Sequence, residues 1–344
     1  MRNARVRIFL LVVLALALSA MAVIHGLLYE EREEGGGATH RIEIPSGTSV
    51  RGAATRMAEA GLLDAPWKLR AVYWLQGARR TIKAGTYEIR TGQSPAALLA
   101  ILESGRVASV ELTIPEGLSF EASCKLLADS LALNEDSLLA LCERPSAEWS
   151  RELNLPAGAT LEGYLYPETY RFDLGVSAPE VLQTMIRGFL RVFDEPLRAA
   201  TDSIGFSVHQ VVTLASIVEA ETGVPSERAK VSAVYHNRLA KHWKLEADPT
   251  VSYATGIPGE KLSTKDLKFD SPYNTYRYFG LPPGPIDSPG KAALLAAVHP
   301  EKGFEAMYFV ADGKGGHVFS RTWQEHRAAV RAYRSARRDG GNQR

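Results

Sequence analysis

Two acidic residues close an apolar segment in the middle of the chain. Glu219 and Glu221 follow the run 214–218, and a Thr-Gly-Val-Pro sequence comes directly afterwards. A helix over 207–221 would be buried on most sides, and burial disfavours the charged form of a carboxyl group. A carboxyl group that keeps its proton near neutral pH can act as a general acid. The segment therefore predicts acid–base chemistry, with an ordinary salt bridge as the structural alternative.

The spacing of the two carboxylates gives them different environments. Residues two apart lie about 200° apart around a helix, so Glu219 and Glu221 cannot share a face. Glu221 is nearer the end of the helix, where the chain opens, and we predict that it is the acid. Glu219 is then structural, and the alternative is that both carboxylates merely form salt bridges, for instance with Arg228 or Arg238.

Two later segments carry side chains that suit a carbohydrate. Asp248 precedes Pro249, which is typical of a turn or helix cap, although Asp248 could also serve as the second carboxylate of a glycoside hydrolase. The segment 271–276 and the Gly/Pro-rich segment 280–286 combine aromatic rings with an amide in rigid loops. Flat apolar faces and amide hydrogen bonds match sugar rings, and a well-packed surface loop is the alternative.

Several classes of function are excluded by composition and motif. The formal net charge is +1 and no basic stripe is present, which argues against nucleic acid as a partner. Neither a Gly-x-Ser-x-Gly elbow nor a phosphate-binding loop occurs. No His or Cys pair has the spacing of a metal site, so we expect no metal. Acid–base chemistry on one carboxyl group needs no organic cofactor either. Cys124 and Cys142 could form a disulfide or remain buried thiols.

The N-terminal segment 8–29 predicts a transmembrane helix. It carries no charge except a possible one on His25, and a helix of this length would rise roughly 33 Å, enough to cross the hydrocarbon of a bilayer. Arginines precede it and glutamates follow it, which places residues 1–7 in the cytoplasm and the bulk of the chain outside. A signal peptide cleaved near Ala22 is the alternative, but the apolar run continues beyond that point.

An internal repeat indicates tandem modules. The sequence 44–50 recurs in similar form at 114–120, and each copy lies between an alternating stretch and an amphipathic run capped by Ser49 or Ser119. Each copy therefore predicts a strand, a Pro-Gly turn and a helix. The predicted organisation is a linker (30–40), a first βα module (41–108), a second βα module with a connector (109–200), a mixed α+β catalytic domain (201–336) and a basic tail (337–344).

Many ordered motifs resemble those of the MltG (YceG-like) endolytic murein transglycosylases. Together they extend over roughly residues 5–335. The matching sequences are Lys83-Ala84-Gly85-Thr86-Tyr87, Glu162-Gly163-Tyr164-Leu165-Tyr166-Pro167-Glu168-Thr169-Tyr170, Ala215-Ser216-Ile217-Val218-Glu219-x-Glu221-Thr222, Ser226-Glu227-Arg228, Asn237-Arg238-Leu239, Asp248-Pro249-Thr250-Val251-x-Tyr253, Tyr273-Asn274-Thr275-Tyr276, Gly280-Leu281-Pro282-Pro283-Gly284 and Tyr308-Phe309-Val310-Ala311-Asp312-Gly313-x-Gly315-Gly316-His317-x-Phe319.

The resemblance implies an α+β fold and a reaction. The module 41–108 would be LysM-like and bind glycan, and the essential glutamate of the family matches Glu221. The family cuts the bond between N-acetylmuramic acid and N-acetylglucosamine within nascent strands and leaves a 1,6-anhydromuramic end. One departure is Glu246, which stands where relatives carry Gln.

The same resemblance implies partners and a location. We expect a single-pass inner-membrane protein with its bulk in the periplasm, acting on peptidoglycan strands near penicillin-binding synthases. Two alternatives stay open: a peptidoglycan hydrolase that uses Glu221 with Asp248 and water, and a non-catalytic glycan-binding scaffold. The candidate substrate-contacting residues are Asn274, Tyr276, Tyr253, Asp248 and Glu219.

Overall fold

The chain folds into two compact units of mixed α and β structure. In the computed structural model, the described residues are 2–30, 38–78, 81–105 and 107–341, so the glycines of the expected linker (35–37) lie outside them. The first unit comprises Met1–Val110 with Arg171–Val176, and the second comprises Glu111–Tyr170 with Ser177–Arg344. The region expected to form a separate second module (109–200) thus lies mostly in the same unit as the predicted catalytic region. The α+β class is confirmed.

The first helix, α1 (Arg2–Tyr29), contains the predicted apolar segment. Its part Arg7–Tyr29 is long and apolar enough to cross a membrane, and no other continuous helix of the described residues is. Large apolar side chains from Ile8 to Ile24 are exposed, whereas Leu28 is buried. A run of exposed apolar side chains is unfavourable in water and suits the interior of a bilayer.

The rest of the first unit is a strand, two helices, a second strand and a further helix. The two strands pair antiparallel, with Ile44 opposite Gly85. One face of this ribbon and the helices enclose a core that includes Met57, Leu69 and Tyr87. The elements are β1 (Thr39–Ile44), α2 (Val50–Glu59), α3 (Pro66–Leu75), β2 (Gly85–Arg90) and α4 (Pro95–Ser104).

The second unit is mainly helical, with a strand pair near its start and a hairpin near its end. Strands β3 and β4 pair with each other, and the division between the two units falls within both. Strands β5 and β6 form the antiparallel hairpin. The elements are β3 (Ser109–Thr113), α5 (Phe120–Leu131), α6 (Glu135–Glu143), α7 (Ala147–Glu152), β4 (Thr169–Asp173), α8 (Ala178–Val192), α9 (Glu195–Ser203), α10 (Val208–Glu221), α11 (Arg228–Ala240), α12 (Asp248–Thr255), α13 (Lys291–Val298), β5 (Tyr308–Ala311), β6 (His317–Ser320) and α14 (Trp323–Gly341), with short 3-10 turns at Pro225–Glu227, Gly259–Lys261 and Asp266–Lys268.

The last helix extends beyond its predicted end. Helix α14 continues to Gly341, so most of the stretch predicted as a separate basic tail (337–344) is helical, and 342–344 lie outside the described residues. Arginine is a good helix former, and it extends the helix beyond the last apolar position.

The predicted repeat is confirmed at the level of local structure. Gly47 and Gly117 both adopt φ = +77°, a left-handed conformation that glycine reaches without steric cost. Ser49 and Ser119 then cap α2 and α5, and each hydroxyl oxygen accepts a hydrogen bond from the backbone N–H three residues later at 3.2 Å. The same turn therefore joins a strand to a helix in both copies.

Helix α10 is the central element of the second unit. Every residue from Val211 to Val218 is buried, as the continuous apolar sequence predicted. Neighbouring helices α9, α11, α12 and α13 all pack against it. Its start is fixed by Ser207 and Gln210, whose side chains each accept a hydrogen bond from the other residue's backbone N–H. A helix held in this way places its last residue, Glu221, at a defined position.

The two cysteines lie in contact in the core of the second unit. Cys124 on α5 and Cys142 on α6 are free thiols, fully buried, with their Sγ atoms 3.6 Å apart. We expect an oxidant such as oxidised glutathione to join them, because only a small shift separates this contact from bonding distance. The bond would close a short loop and add about 3 kcal/mol to the free energy of unfolding.

Intact mass with and without reductant, combined with alkylation after denaturation, measures this reaction. Oxidised protein should lose two hydrogens and resist alkylation, and a Cys124→Ser variant should do neither. Two thiols that remain fully alkylatable after prolonged oxidation would contradict the prediction.

Candidate active site

Glu221 is the last residue of α10 and lies beside two residues of α11. The hydroxyl of Tyr235 donates a hydrogen bond to its Oε1 at 2.6 Å. Burial raises the pKa of Glu221, the Tyr235 hydrogen bond and the Arg238 guanidinium lower it, and the negative charge of Asp248 raises it, so that the pKa lies at about 7. A pKa near neutrality leaves both protonation states accessible, which general acid–base catalysis requires.

Tyr235 and Arg238 are held firmly against this carboxyl group. Tyr235 is 1% exposed, and burial raises its pKa well above the usual value, so its hydroxyl stays protonated and donates. Arg238 donates from Nε to the carbonyl of Met307 at 2.8 Å and from Nη1 to the carbonyl of Leu245 at 2.6 Å. These partners fix the guanidinium, whose charge favours the carboxylate form of Glu221.

Glu219 has a supporting position. Its Oε1 forms an ion pair with Arg228 at 2.8 Å, and its Oε2 accepts from the backbone N–H of Gly290 at 3.1 Å. The interpretation that one carboxylate is structural is thus consistent with these contacts. Both carboxylate oxygens of Glu219 bind groups of the protein, so this side chain stabilises the end of α10.

A proline-rich loop lies along α10 and is bonded to it at three places. The His209 ring contacts the carbonyl of Pro283 at 2.9 Å, the Ser216 hydroxyl accepts from the N–H of Ile286 at 3.1 Å, and Glu219 binds Gly290 as described. His209 also contacts the Tyr164 hydroxyl at 2.9 Å. The loop predicted to be rigid is therefore fixed to the helix that carries Glu221.

Asn274 holds a loop together from the inside. It is fully buried, its amide donates to the carbonyls of Leu267 and Phe269, and its Oδ1 accepts from the N–H of Tyr276 at 2.9 Å. All of this bonding capacity is used within the loop. Asn274 therefore supports the loop, and its contact with sugar stays a prediction.

Asp248 begins helix α12, one position inside the cap that the sequence suggested. The N-cap is Ala247, and Asp248 forms no capping bond. Instead its Oδ1 accepts from the hydroxyl of Tyr276 at 2.6 Å. A carboxylate in the first turn is favoured by the helix dipole, and the tyrosine fixes its orientation.

An open groove of about 1000 Å³ runs past Glu221 within the second unit. Three of the predicted site residues line it, namely Glu221, Asp248 and Tyr253, whereas Glu219, Asn274 and Tyr276 lie outside its lining. Its volume suits several linked sugar rings. The lining residues are Gly117, Leu118, Ser119, Glu121, Ala122, Ala220, Glu221, Asp248, Pro249, Ser252, Tyr253, Gly256, Ile257, Pro258, Gly259, Ile286 and Asp287.

Two buried acids near this groove were missed in the sequence. Glu162 is 1% exposed, its Oε1 accepts from the N–H of Phe120 at 2.9 Å, and burial raises its pKa to about 8. Asp287 is 5% exposed and lies in the groove wall. Both follow a turn or loop signal in the sequence, and only the fold brings them to α10.

His317, the first residue of β6, has a structural partner. His317 donates from its backbone to Glu227 Oε1 at 3.0 Å, and its Nδ1 lies 2.7 Å from Glu227 Oε2. Among the residues that the structure describes, no three His, Cys, Asp or Glu side chains form a metal-binding group.

Comparison with known proteins now decides the family. The profile of the YceG-like family matches residues 42–332. The chain belongs to the YceG-like family. The resemblance drawn from the motifs is confirmed, and with it the assignment to a family of enzymes.

Curated relatives in this family carry the same name. An endolytic murein transglycosylase of Bacillus subtilis is 31% identical, over 91% of this chain and 89% of its own length. An endolytic murein transglycosylase of Streptococcus pneumoniae is 29% identical over 83% of this chain, which spans only 56% of that protein. The crystal structure of a YceG-like protein from Listeria monocytogenes superimposes with a TM-score of 0.59 at 31% identity, covering 85% of this chain and 99% of that one.

Replacing Tyr235 by Phe tests the control of the Glu221 pKa. Removing the hydrogen bond destabilises the carboxylate, so we expect the pKa of Glu221 to rise by about one unit. Carboxyl-carbon NMR titration of the two proteins measures the change. Tyr278→Phe, which removes an exposed phenol bonded to Asp270 at 2.8 Å, is the matched control and should leave Glu221 unchanged. A Glu221 pKa that stays the same or falls in the Tyr235→Phe variant would refute this account.

Proposed function

We propose that this YceG-like protein is an endolytic murein lytic transglycosylase with Glu221 as its general acid and base. The observation that supports this most directly is the Glu221 carboxyl group with a pKa of about 7 in the wall of a sugar-sized groove. The name shared by the curated relatives gives the substrate class, peptidoglycan.

The reaction needs one carboxyl group in two successive states. Protonated Glu221 donates to the glycosidic oxygen as the bond between N-acetylmuramic acid and N-acetylglucosamine breaks. The carboxylate then accepts the proton of the muramic acid 6-hydroxyl, whose oxygen attacks the anomeric carbon and forms the 1,6-anhydro ring. The nucleophile belongs to the substrate, so positioning replaces the activation of a water molecule.

The neighbours of Glu221 fit both states. Burial favours the neutral acid that starts the reaction, whereas Tyr235 and Arg238 stabilise the carboxylate that follows. Opposed influences of this kind keep the pKa near the working pH, where proton transfer in both directions is efficient.

Hydrolysis is the alternative reaction, and one observation favours considering it. Asp248 lines the same groove as Glu221, so a second carboxylate is present as a hydrolase requires. One of its oxygens, however, accepts the Tyr276 hydroxyl at 2.6 Å. We therefore assign Asp248 to the orientation of substrate rather than to activation of water.

We also propose that the first unit is a LysM-like module that binds glycan. A cavity of about 660 Å³ there is lined by the β1–α2 turn and by Tyr73 and Trp74. The Trp74 side chain is 71% exposed, and an exposed indole is a flat apolar surface of the kind on which sugars stack. A glycan-binding scaffold without catalysis would use this cavity alone.

The proposed location follows from α1. As a single span with its N-terminus in the cytoplasm, it would hold both units at the outer face of the inner membrane, where nascent strands emerge. Penicillin-binding synthases are the partners that this location suggests.

Replacing Glu221 by Gln should abolish cleavage while leaving glycan binding intact. The amide keeps the shape of the side chain but supplies no proton, and loss of a general acid costs a factor of about 10² to 10⁴ in rate. Release of soluble fragments from purified glycan strands measures the rate, and co-sedimentation with the strands measures binding. Glu121→Gln, which changes another carboxylate of the groove wall, is the matched control. Full activity of the Glu221→Gln variant would overturn the assignment.

Mass spectrometry of the products identifies the reaction. We expect 1,6-anhydromuramic ends, because the attacking oxygen comes from the sugar itself. Reducing muramic ends without the anhydro product would establish the hydrolase, and a wild-type protein that binds strands but releases nothing would establish the scaffold.

A further inference from the structure

Asp287 is an acid in the groove wall that the mechanism above does not use. Its side chain is 5% exposed, and its Oδ1 is buried without a hydrogen-bond partner. A buried polar atom that forms no hydrogen bond typically costs 1–3 kcal/mol of stability. An unpartnered polar atom in the lining of a groove points to a hydrogen-bond partner that the ligand supplies.

Backbone hydrogen bonds fix this residue on both sides. The N–H of Ser288 donates to the carbonyl of Leu118 at 2.8 Å, and the N–H of Gly117 donates to the carbonyl of Ser288 at 2.9 Å. On the other side, the N–H of Ile286 is bonded to Ser216 of α10. Asp287 therefore cannot move far to find a partner within the protein.

The surroundings of Asp287 keep it uncharged. Burial raises its pKa well above the ordinary value, and the nearby carboxyl groups of Glu162 and Glu219 raise it further. Arg228 is paired with Glu219 of this cluster at 2.8 Å. A neutral carboxyl group carries a hydrogen-bond donor, which a carboxylate lacks.

We propose that Asp287 is a specificity-determining contact of the substrate, where its carboxyl group donates a hydrogen bond to the carbonyl oxygen of a sugar N-acetyl group. The proposal rests on the proposed function for the substrate class and adds which chemical group this position recognises. An acetyl carbonyl is an uncharged acceptor, so it suits a donor whose surroundings are already acidic. A substrate carboxylate would be repelled at the same place.

The predicted signature separates this role from a structural one. Replacing Asp287 by Leu removes the unpartnered polar atom, so we expect the melting temperature to rise by about 2–4 °C. The same change removes the donor, and we expect the KM for N-acetylated glycan strands to rise about tenfold, with kcat changed less than about threefold. Asp287→Asn keeps a donor of similar shape and should retain a KM close to that of the wild type.

The experiment compares full-length wild type, Asp287→Leu and Asp287→Asn on N-acetylated strands and on the same strands after chemical N-deacetylation. On deacetylated strands the wild type should show the same tenfold rise in KM, and the Leu variant should show no additional loss. Binding of both strands, measured in parallel with the Glu221→Gln variant as background, gives a reading that does not depend on cleavage.

The outcomes separate the two hypotheses. If the protein cleaves nothing but binds acetylated strands more tightly, and Asp287→Leu abolishes that preference, the subsite stands and the proposed reaction falls. A Leu variant whose affinity is unchanged overturns the subsite. A Leu variant that loses affinity equally for acetylated and deacetylated strands also overturns the subsite. The same holds if the Leu variant melts at a lower temperature and Asp287→Asn also loses the preference for acetylated strands.

Discussion

The structure depends on one unfavourable arrangement, a carboxyl group at the C-terminal end of a buried helix. The negative pole of the α10 dipole and the loss of water both disfavour charge on Glu221. Burial along α10 is ordinary for an apolar helix. At the last turn of the helix, burial also has a chemical effect, because it raises the pKa of Glu221 to about 7. The packing that stabilises the helix thus also prepares the acid.

A second carboxylate only two residues away experiences the opposite environment. Glu219 emerges on the other side of α10, where Arg228 and the backbone of Gly290 bind both of its oxygens. The helical period separates the two groups, so one is stabilised as an ion pair while the other can hold a proton near neutral pH. If the two environments were exchanged, the end of α10 would lose both the ion pair of Glu219 and the protonatable carboxyl group of Glu221. The proximity of the two residues in sequence is therefore compatible with different tasks.

The sequence predicted what local patterns determine. A continuous apolar run predicted α10, the repeated Pro-x-Gly turn predicted matching strand–helix connections, and the spacing of Glu219 and Glu221 predicted two faces. It could not give Tyr235, Arg238 or Asp287 as neighbours of the site, because they come from other segments and only long-range packing brings them together.

One omission had a different cause. The short helix α9 was missed because a few residues carry too little periodicity to be distinguished from a loop. Asn274 and Tyr276 stay predictions as sugar contacts: amides and phenols suit sugar, but Asn274 also forms hydrogen bonds within its own loop and the Tyr276 hydroxyl donates to Asp248. Residue type alone does not distinguish a ligand contact from an internal bond, and only the count of hydrogen bonds already made does so.

The number of hydrogen bonds within the protein also explains why the groove wall is rigid on one side. The loop from Pro283 to Gly290 is bonded to α10 at three points, so the wall that carries Asp287 cannot shift independently of Glu221. An intramolecular attack by a sugar hydroxyl needs the ring held in one orientation relative to the acid, whereas a hydrolase must also place a water molecule. A wall fixed to α10 would supply orientation for the proposed reaction without a second activated group. The rigidity of this loop is thus the feature of the fold that best matches a reaction in which the substrate provides its own nucleophile.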